Sequence, residues 1–302
     1  MRRAKLKIYS RWAIFAAVSP VCLLFAVFVL FPAAANLFFS FTDYKGLPGF
    51  PLKWLGFANY RQIFTNDFSD LWLTVKNTFI VAVSVSTIQN VLAVFLALLV
   101  NKKLKLKNFF RAAIFTPIIL GPVVQGLVWT IMLDPFSGPV SQILGRFGVH
   151  SAFFGDPHLA LALLIMVIIW VNIGFAMVLY LAGLQNIPPE YYEAGLIDGA
   201  SGWSTFRHIT LPLLRPTVTI NVLLTIIGSL SMLDIILVTT NGGPGKATMT
   251  LSMFIFKNLV SNMGYAMVSQ GYVAALSMFQ FLLILVVVMN VQGFLRRKEV
   301  EL

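Results

Sequence analysis

Charge is what this sequence has least of. Acidic and basic residues fill 11% of its 302 positions, against about 25% in an average soluble domain. With 58% hydrophobic residues and a mean hydropathy of +0.85, the composition is that of a polytopic membrane protein. A single cysteine, Cys22, excludes an internal disulfide and any multi-cysteine metal site. The histidines, His150, His158 and His208, are dispersed, with no metal-ligand spacing. A phosphate-binding G-x-x-x-x-G-K-[ST] loop is also missing: Gly245-Lys246 is followed by Ala247 and lacks the upstream glycine, so the chain does not bind ATP by a P-loop. No Ser/His/Asp set falls together on one side of a membrane, and the sequence offers no catalytic constellation. Acids are scarce relative to bases, giving a net charge of +11. Without a soluble domain to carry a nucleic-acid site, that excess belongs to loops flanking membrane segments.

What is present is a succession of long uncharged runs. A span needs about 20 apolar residues, and six segments qualify: about 12–41, 77–100, 112–133, 159–184, 217–240 and 269–294. The expectation is an all-α protein with six transmembrane helices in one membrane domain, 12–295, between basic tails at 1–11 and 296–302. The first run ends in Ala33-Ala34-Ala35, which a signal peptidase could cleave. Its apolar core exceeds the 7–15 residues of a signal-peptide core, which favours a first transmembrane helix. With both termini inside, fifteen of the 22 Lys and Arg residues fall on the cytoplasmic side and seven outside. That bias supports this orientation and places the loop after the fourth span in the cytoplasm. Small interfacial helices fit in 43–76, and an amphipathic one in 247–264.

The loop from Ile187 to Pro216 is polar yet structured. Pro188-Pro189 can open a helix, with Glu190 and Glu193 near the positive end of its dipole. Asp198-Gly199 is a stop-and-turn signal. Ser201 can cap a second short helix bearing Trp203, Phe206, Arg207 and Ile209, which Pro212 and Pro216 would close. Inside the spans, uncharged polar residues stand out: Gln89 and Asn90, Gln125 with Trp129 one turn on, Asn172, Asn221 with Thr225 and Gly228, and Gln280. Each could hydrogen-bond between helices, or line a route for a hydroxyl-rich solute. Asp234 falls in an apolar run toward the outer end of the fifth span. An ionised Asp near mid-membrane costs about 2.5–3.5 kcal/mol, so it faces a solute route or sits among headgroups.

The spacing Glu193-Ala194-Gly195, three residues, Gly199, nine residues, Ile209, one residue, Leu211-Pro212 resembles the EAA loop of permease subunits in binding-protein-dependent ABC importers. Trp54-Leu55-Gly56-Phe57-Ala58-Asn59-Tyr60, Lys76-Asn77-Thr78 and Thr240-Asn241-Gly242-Gly243-Pro244-Gly245 resemble wording of the sugar and glycerol-phosphate branch. The likeness runs from about Pro20 to Phe294. Gly195 replaces the family's usual Ala, keeping a small residue at a helix-propensity cost of up to about 1 kcal/mol. The resemblance implies a pore shared with a second, similar permease, two cytoplasmic ATPase subunits, an extracytoplasmic solute-binding protein, and a sugar or glycerol-phosphate-like solute. ATP and magnesium would be held by the ATPase subunits, with no cofactor in this chain. Glu193 would be the acidic contact to the ATPase, Ala194 and Gly195 would permit tight packing, and Asp198-Gly199 would turn the chain. Ile209 and Leu211-Pro212 would set the exit into the fifth span. A secondary transporter or channel is the alternative; such proteins often carry intramembrane ion pairs or proton relays, for which only Asp234 qualifies.

Overall fold

The computed structural model describes residues 11–46, 49, 51–65, 67–102, 105–264 and 269–297, and the side chains among these except at 11–14 and 261–264. Arg2, Arg3, Lys5, Lys7, Lys103 and Lys298 of the charge count lie outside the described residues. Among the described residues five helices are long and apolar enough to cross a membrane, six if one bent pair counts as a single span. The chain divides into two compact units, 1–66 with 258–279, and 67–257 with 280–302.

In the first unit, α1 (11–39) is α-helical over Arg11–Phe25 and Phe31–Phe39, joined by a π turn, Ala26–Leu30. The wide turn has a local cause. Pro32 cannot donate to the carbonyl four residues back, and Phe31 N–H instead reaches Ala26 O, five residues back. Among the described residues, none in the apolar stretch of α1 is buried. Beyond its end an aromatic knot forms, with Phe39 stacked on Tyr44 and Phe41 on Trp54. Asn59, on α2 (Ala58–Thr65), fastens the knot by donating to Ser40 O (2.8 Å) and Thr42 O (3.0 Å).

The second unit is the bundle. Its elements are α3 (Phe68–Asn101), α4 (Lys107–Ile119), α5 (Pro122–Met132), α6 (Pro139–Gly145), α7 (Ala160–Gln185), α8 (Pro189–Ile197), α9 (Gly202–Leu230) and α10 (Asp234–Thr239). Two further helices, α11 (Leu251–Gly264) and α12 (Gln270–Arg296), belong to it in part. α3 and α7 pack along their lengths, and α9 leans on both. One apolar cluster joins Val81, Val85, Leu164, Val167 and Ile168 with Ile235 and Ile236; a second joins Ala93, Ala97, Met177, Tyr180, Leu184 and Leu214.

Four expectations are corrected. The second helix begins at Phe68 rather than near 77, its first turn held by Asp70 paired with Lys246 at 2.7 Å. The third span is not straight: α4 and α5 meet at a bend of 100°. Leu120 and Gly121 are extended there, as proline disfavours the helical conformation in the residue before it and Pro122 follows. The second short helix of the 187–216 loop does not close at Pro212. It runs through a π turn, Phe206–Thr210, in which Leu211 N–H bonds to Phe206 O, and on past Pro216 to Leu230. Each π turn is thus followed two residues later by a proline. Lastly, the fifth span stops at Leu230, so Asp234 opens a separate short helix instead of interrupting a long one.

Two loops are fixed by local chemistry. Asn77 donates to the carbonyls of Lys246 (3.4 Å), Ala247 (3.2 Å) and Met249 (3.0 Å), and Thr78 Oγ1 accepts from Leu251 N–H, which ties the segment 246–251, just after the Asn241–Gly245 turn, to α3. Asp134 accepts from Ser137 N–H (2.7 Å), the Ser137 hydroxyl (2.9 Å) and Phe136 N–H (3.0 Å). These bonds, chiefly the Ser137 N–H, hold its carboxyl below the ordinary value of 3.8. A depressed folded value means that the stabilisation is complete above the ordinary value and lost as pH falls through the folded one. A carbon-13 carboxyl titration of Asp134 is expected to have its midpoint below 3.8, and Ser137→Ala to raise it; a midpoint at or above the ordinary value would contradict the turn.

Candidate functional site: a tip between helices and a cavity behind it

The 187–216 loop folds as its residues dictate. Pro188 is extended, Pro189 occupies the first helical position and Glu190 the first turn. α8 ends in a Schellman turn: Ala200 N–H bonds to Gly195 O (2.8 Å), Gly199 N–H to Leu196 O (3.1 Å), and Gly199 takes φ +76°. Nothing lies within 4 Å of where a Gly199 Cβ would be, so the glycine is needed for its backbone angle and not for space. Close approach belongs to Gly195, which is buried against the Ile209 side chain; a Cβ there would meet Ile209 Cδ1. Ser201 takes the extended N-cap conformation, but its hydroxyl makes no capping bond, and the turn is held by Thr205 N–H to Ser201 O (2.8 Å).

The outer face of this tip is apolar as well as acidic. Glu193, Ala194 and Asp198 are exposed, and between them stand Leu196, 72% exposed, and Ile197, 87% exposed, with Trp203 nearby at 70%. Reading the spaced motif overlooks the two aliphatics, although adjacent Leu-Ile in a polar loop is itself a signal. Leu211 and Pro212 lie where the tip continues into α9, which carries the chain without a break from the tip into the bundle.

Further along α9 the bundle encloses a cavity of about 240 Å³ between α3, α7 and α9. Gln89, Asn172, Asn221, Thr225 and Gly228 line it with Phe175, so five of the ten residues singled out inside the spans converge. The Asn172 amide donates to Ile168 O (2.9 Å) and the Thr225 hydroxyl to Asn221 O (2.8 Å). Among the described residues Gln89 Oε1 on α3 and Asn221 Nδ2 on α9 are buried without a hydrogen-bond partner, an acceptor and a donor left over on two walls of the cavity. No ionisable side chain is among the cavity's described lining residues.

The other residues singled out, Gln125, Trp129 and Asp234 among them, are not in the cavity's lining. Gln125 donates to Pro117 O (2.9 Å) and to Leu120 O, closing carbonyls freed at the 100° bend. Trp129 packs edge-on against Trp170 with ring centroids 5.5 Å apart. Asp234 is exposed in the first turn of α10. A larger hollow of about 960 Å³ opens between α3 and α9, lined mostly by hydrocarbon from Val91, Val94, Phe95, Leu98, Trp203 and Phe206, with Asn90, Lys102 and Tyr180 among the few polar groups.

A family model described as "binding-protein-dependent transport system inner membrane component" matches residues 89–299. A probable ABC transporter permease protein of Pyrococcus horikoshii is 34% identical, over 89% of this chain and 91% of that one. The sulfoquinovosyl glycerol transport system permease protein SmoG of Agrobacterium fabrum is 32% identical over 93% and 90%. The trehalose/maltose transport system permease protein MalF of Thermococcus litoralis is 32% identical over 89% and 88%. Among solved structures, a bacterial ABC transporter involved in the import of the acidic polysaccharide alginate has the same fold, with a TM-score of 0.80 at 22% identity, covering 95% of this chain and 96% of that one.

Proposed function

Because the chain belongs to the inner-membrane components of binding-protein-dependent transport systems, and is a multi-pass protein of that membrane, we propose that it supplies half of the path for a sugar or glycerol-phosphate-like solute. A second, similar permease supplies the other half. Two ATPase subunits dock from the cytoplasm on the tip around Glu193, and an extracytoplasmic solute-binding protein delivers the solute. ATP and magnesium are bound by the ATPase subunits, and this chain performs no covalent chemistry. Relatives named for starch degradation products, sulfoquinovosyl glycerol and trehalose/maltose support a hydroxyl-rich solute.

The observation that carries this reading is one helix. α9 starts in the exposed tip and ends in the wall of the polar cavity. Closure of the ATPase subunits moves the two tips together, α9 carries the motion inward, and the cavity alternates between the two sides. Amide and hydroxyl groups without charge suit solute hydroxyls. Carrier chemistry driven by protons or ions finds less support, since Asp234 is not among the residues that line the cavity.

The test is affinity recovery of the chain from its native membrane in mild detergent. A P-loop ATPase and a second permease are expected to co-purify, and to be lost with Glu193→Lys. Recovery without any ATPase, together with uptake that survives ATP depletion, would reject the reading. Within the cavity, Asn221→Leu removes a hydrogen-bonding amide at nearly constant volume. Equilibrium binding of labelled solute to the solubilised complex is expected to weaken about 2–10-fold, the worth of one net hydrogen bond, with ATPase co-recovery unchanged.

A further inference from the structure

Between the tip and the cavity lies a buried polar node that the family motif does not include. Tyr180 on α7 is fully buried, and its hydroxyl donates to Asn90 Oδ1 on α3 at 2.6 Å. The Asn90 amide donates in turn to Ser86 O (2.6 Å) and to Thr225 Oγ1 on α9 (3.4 Å). Three helices therefore meet through side-chain hydrogen bonds at one level. Asn90 and Tyr180 wall the apolar hollow that also reaches Trp203 and Phe206 near the tip, whereas Thr225 walls the solute cavity. From Gly202 to Thr225 is about 35 Å of helix at 1.5 Å per residue.

Close packing brings α9 against α7 at Gly183, where a Cβ would meet Thr217 Oγ1, but most of the neighbouring surface is smooth. Ala93, Ala97 and Ala176 present small, smooth surfaces, and Met177, Leu184 and Leu214 present hydrocarbon. Dispersion contacts set how closely the helices approach; hydrogen bonds are directional and add a constraint on sliding and rotation at their own level. A lever that slips against the wall it drives loses its stroke.

We infer that Tyr180, Asn90 and Thr225 are positioning residues that lock α9 to α3 and α7, so that displacement of the tip reaches the solute cavity undiminished. They touch neither nucleotide nor ATPase, and the inference rests on the coupling reading above. It accounts for a tyrosine in an otherwise aliphatic and small-residue cluster, where phenylalanine or leucine would fill the space.

The experiment uses the full complex, with partner permease, ATPase subunits and binding protein, in proteoliposomes. Tyr180→Phe keeps the ring in its cluster and removes the hydroxyl. The yield of complex and its ATPase content are expected to match those of the native chain, while ATP consumed per solute moved rises about fivefold, as loss of one net hydrogen bond would allow. The double variant Tyr180→Phe/Asn90→Leu also removes the Asn90–Thr225 bond to α9 and is expected to raise the ratio beyond that of Tyr180→Phe alone; a double variant with the native ratio would overturn the lock. ATP per solute unchanged in Tyr180→Phe, or hydrolysis and uptake falling together in proportion to yield, would overturn the lock and leave the node as packing. A native complex that recovers no ATPase overturns the coupling reading and the lock with it; a native complex that does, with the ratio unmoved, overturns the lock alone.

Discussion

A chain carrying Leu196→Asp and Ile197→Asp is expected to insert and fold as the native one does, yet to retain no ATPase and move no solute. Both side chains project from the end of α8 with most of their surface free, and neither supports the bundle. Burying an aliphatic side chain in an interface contributes about 1.5–3 kcal/mol, so losing two removes roughly 3–6 kcal/mol, or about 10²–10⁴-fold in docking. The new carboxylates also join Glu193 and Asp198 on the same tip, adding a desolvation cost to any docked state. Quantifying ATPase per permease in the purified complex, alongside uptake in proteoliposomes, decides the matter. Stoichiometric ATPase with native uptake would remove the tip from the coupling path. Gly199→Val should give a milder version of the same defect. It forces a β-branched residue to φ +76°, at a cost of at least about 1–2 kcal/mol to the Schellman turn.

The second large effect is on folding. Gly174, at the middle of α7, touches the backbone of α4: a Cβ there would meet Ile114 O and lie 2.8 Å from Phe115 Cα. Backbone has no flexible end that can swing aside, so Gly174→Leu must push α4 away along with the bend that follows it. Overpacking a well-filled site costs typically 1–3 kcal/mol and occasionally more, and here the displaced element is a whole helix. The expected result is loss of the monodisperse peak in size-exclusion chromatography, or a clearly lowered Tm where some protein survives. Gly293→Ala is the control: nothing lies within 4 Å of its Cβ position, and it should be without effect. Native elution and Tm for Gly174→Leu would mean that α4 and α7 do not pack in this register.

Much of the molecule could be read from single residues and their near neighbours. Uncharged runs long enough to span marked the membrane helices. Pro188-Pro189 and Asp198-Gly199 marked the start and end of α8, because N1 proline and a left-handed glycine act within one turn. The polar residues that meet in the cavity, Gln89, Asn172, Asn221 and Thr225, were conspicuous as amides and hydroxyls inside apolar runs. Four features were decided elsewhere. Pro122 could have bent the third span or been absorbed; the bend is held by Gln125 reaching back to the Pro117 carbonyl. Pro212 read as a stop, but a wide turn before it let α9 continue and become a lever. The fifth helix ended at Leu230, which took Asp234 out of any span. The pairing of Tyr180 with Asn90 joins residues 90 positions apart.

The division has a physical cause. In water, a helix advertises its buried face by an apolar stripe, since its other face must be polar. In a bilayer, lipid and protein neighbours are equally apolar, so α7 is hydrophobic all round and carries no stripe to read. The sequence by itself determined which segments are long and apolar enough to cross a membrane and how the chain turns between two of them, because those follow from transfer of side chains to hydrocarbon and from local backbone angles. Which faces meet, where Gly174 and Gly195 admit a neighbour, and which amides share a cavity were decided only by close packing between helices distant in the chain.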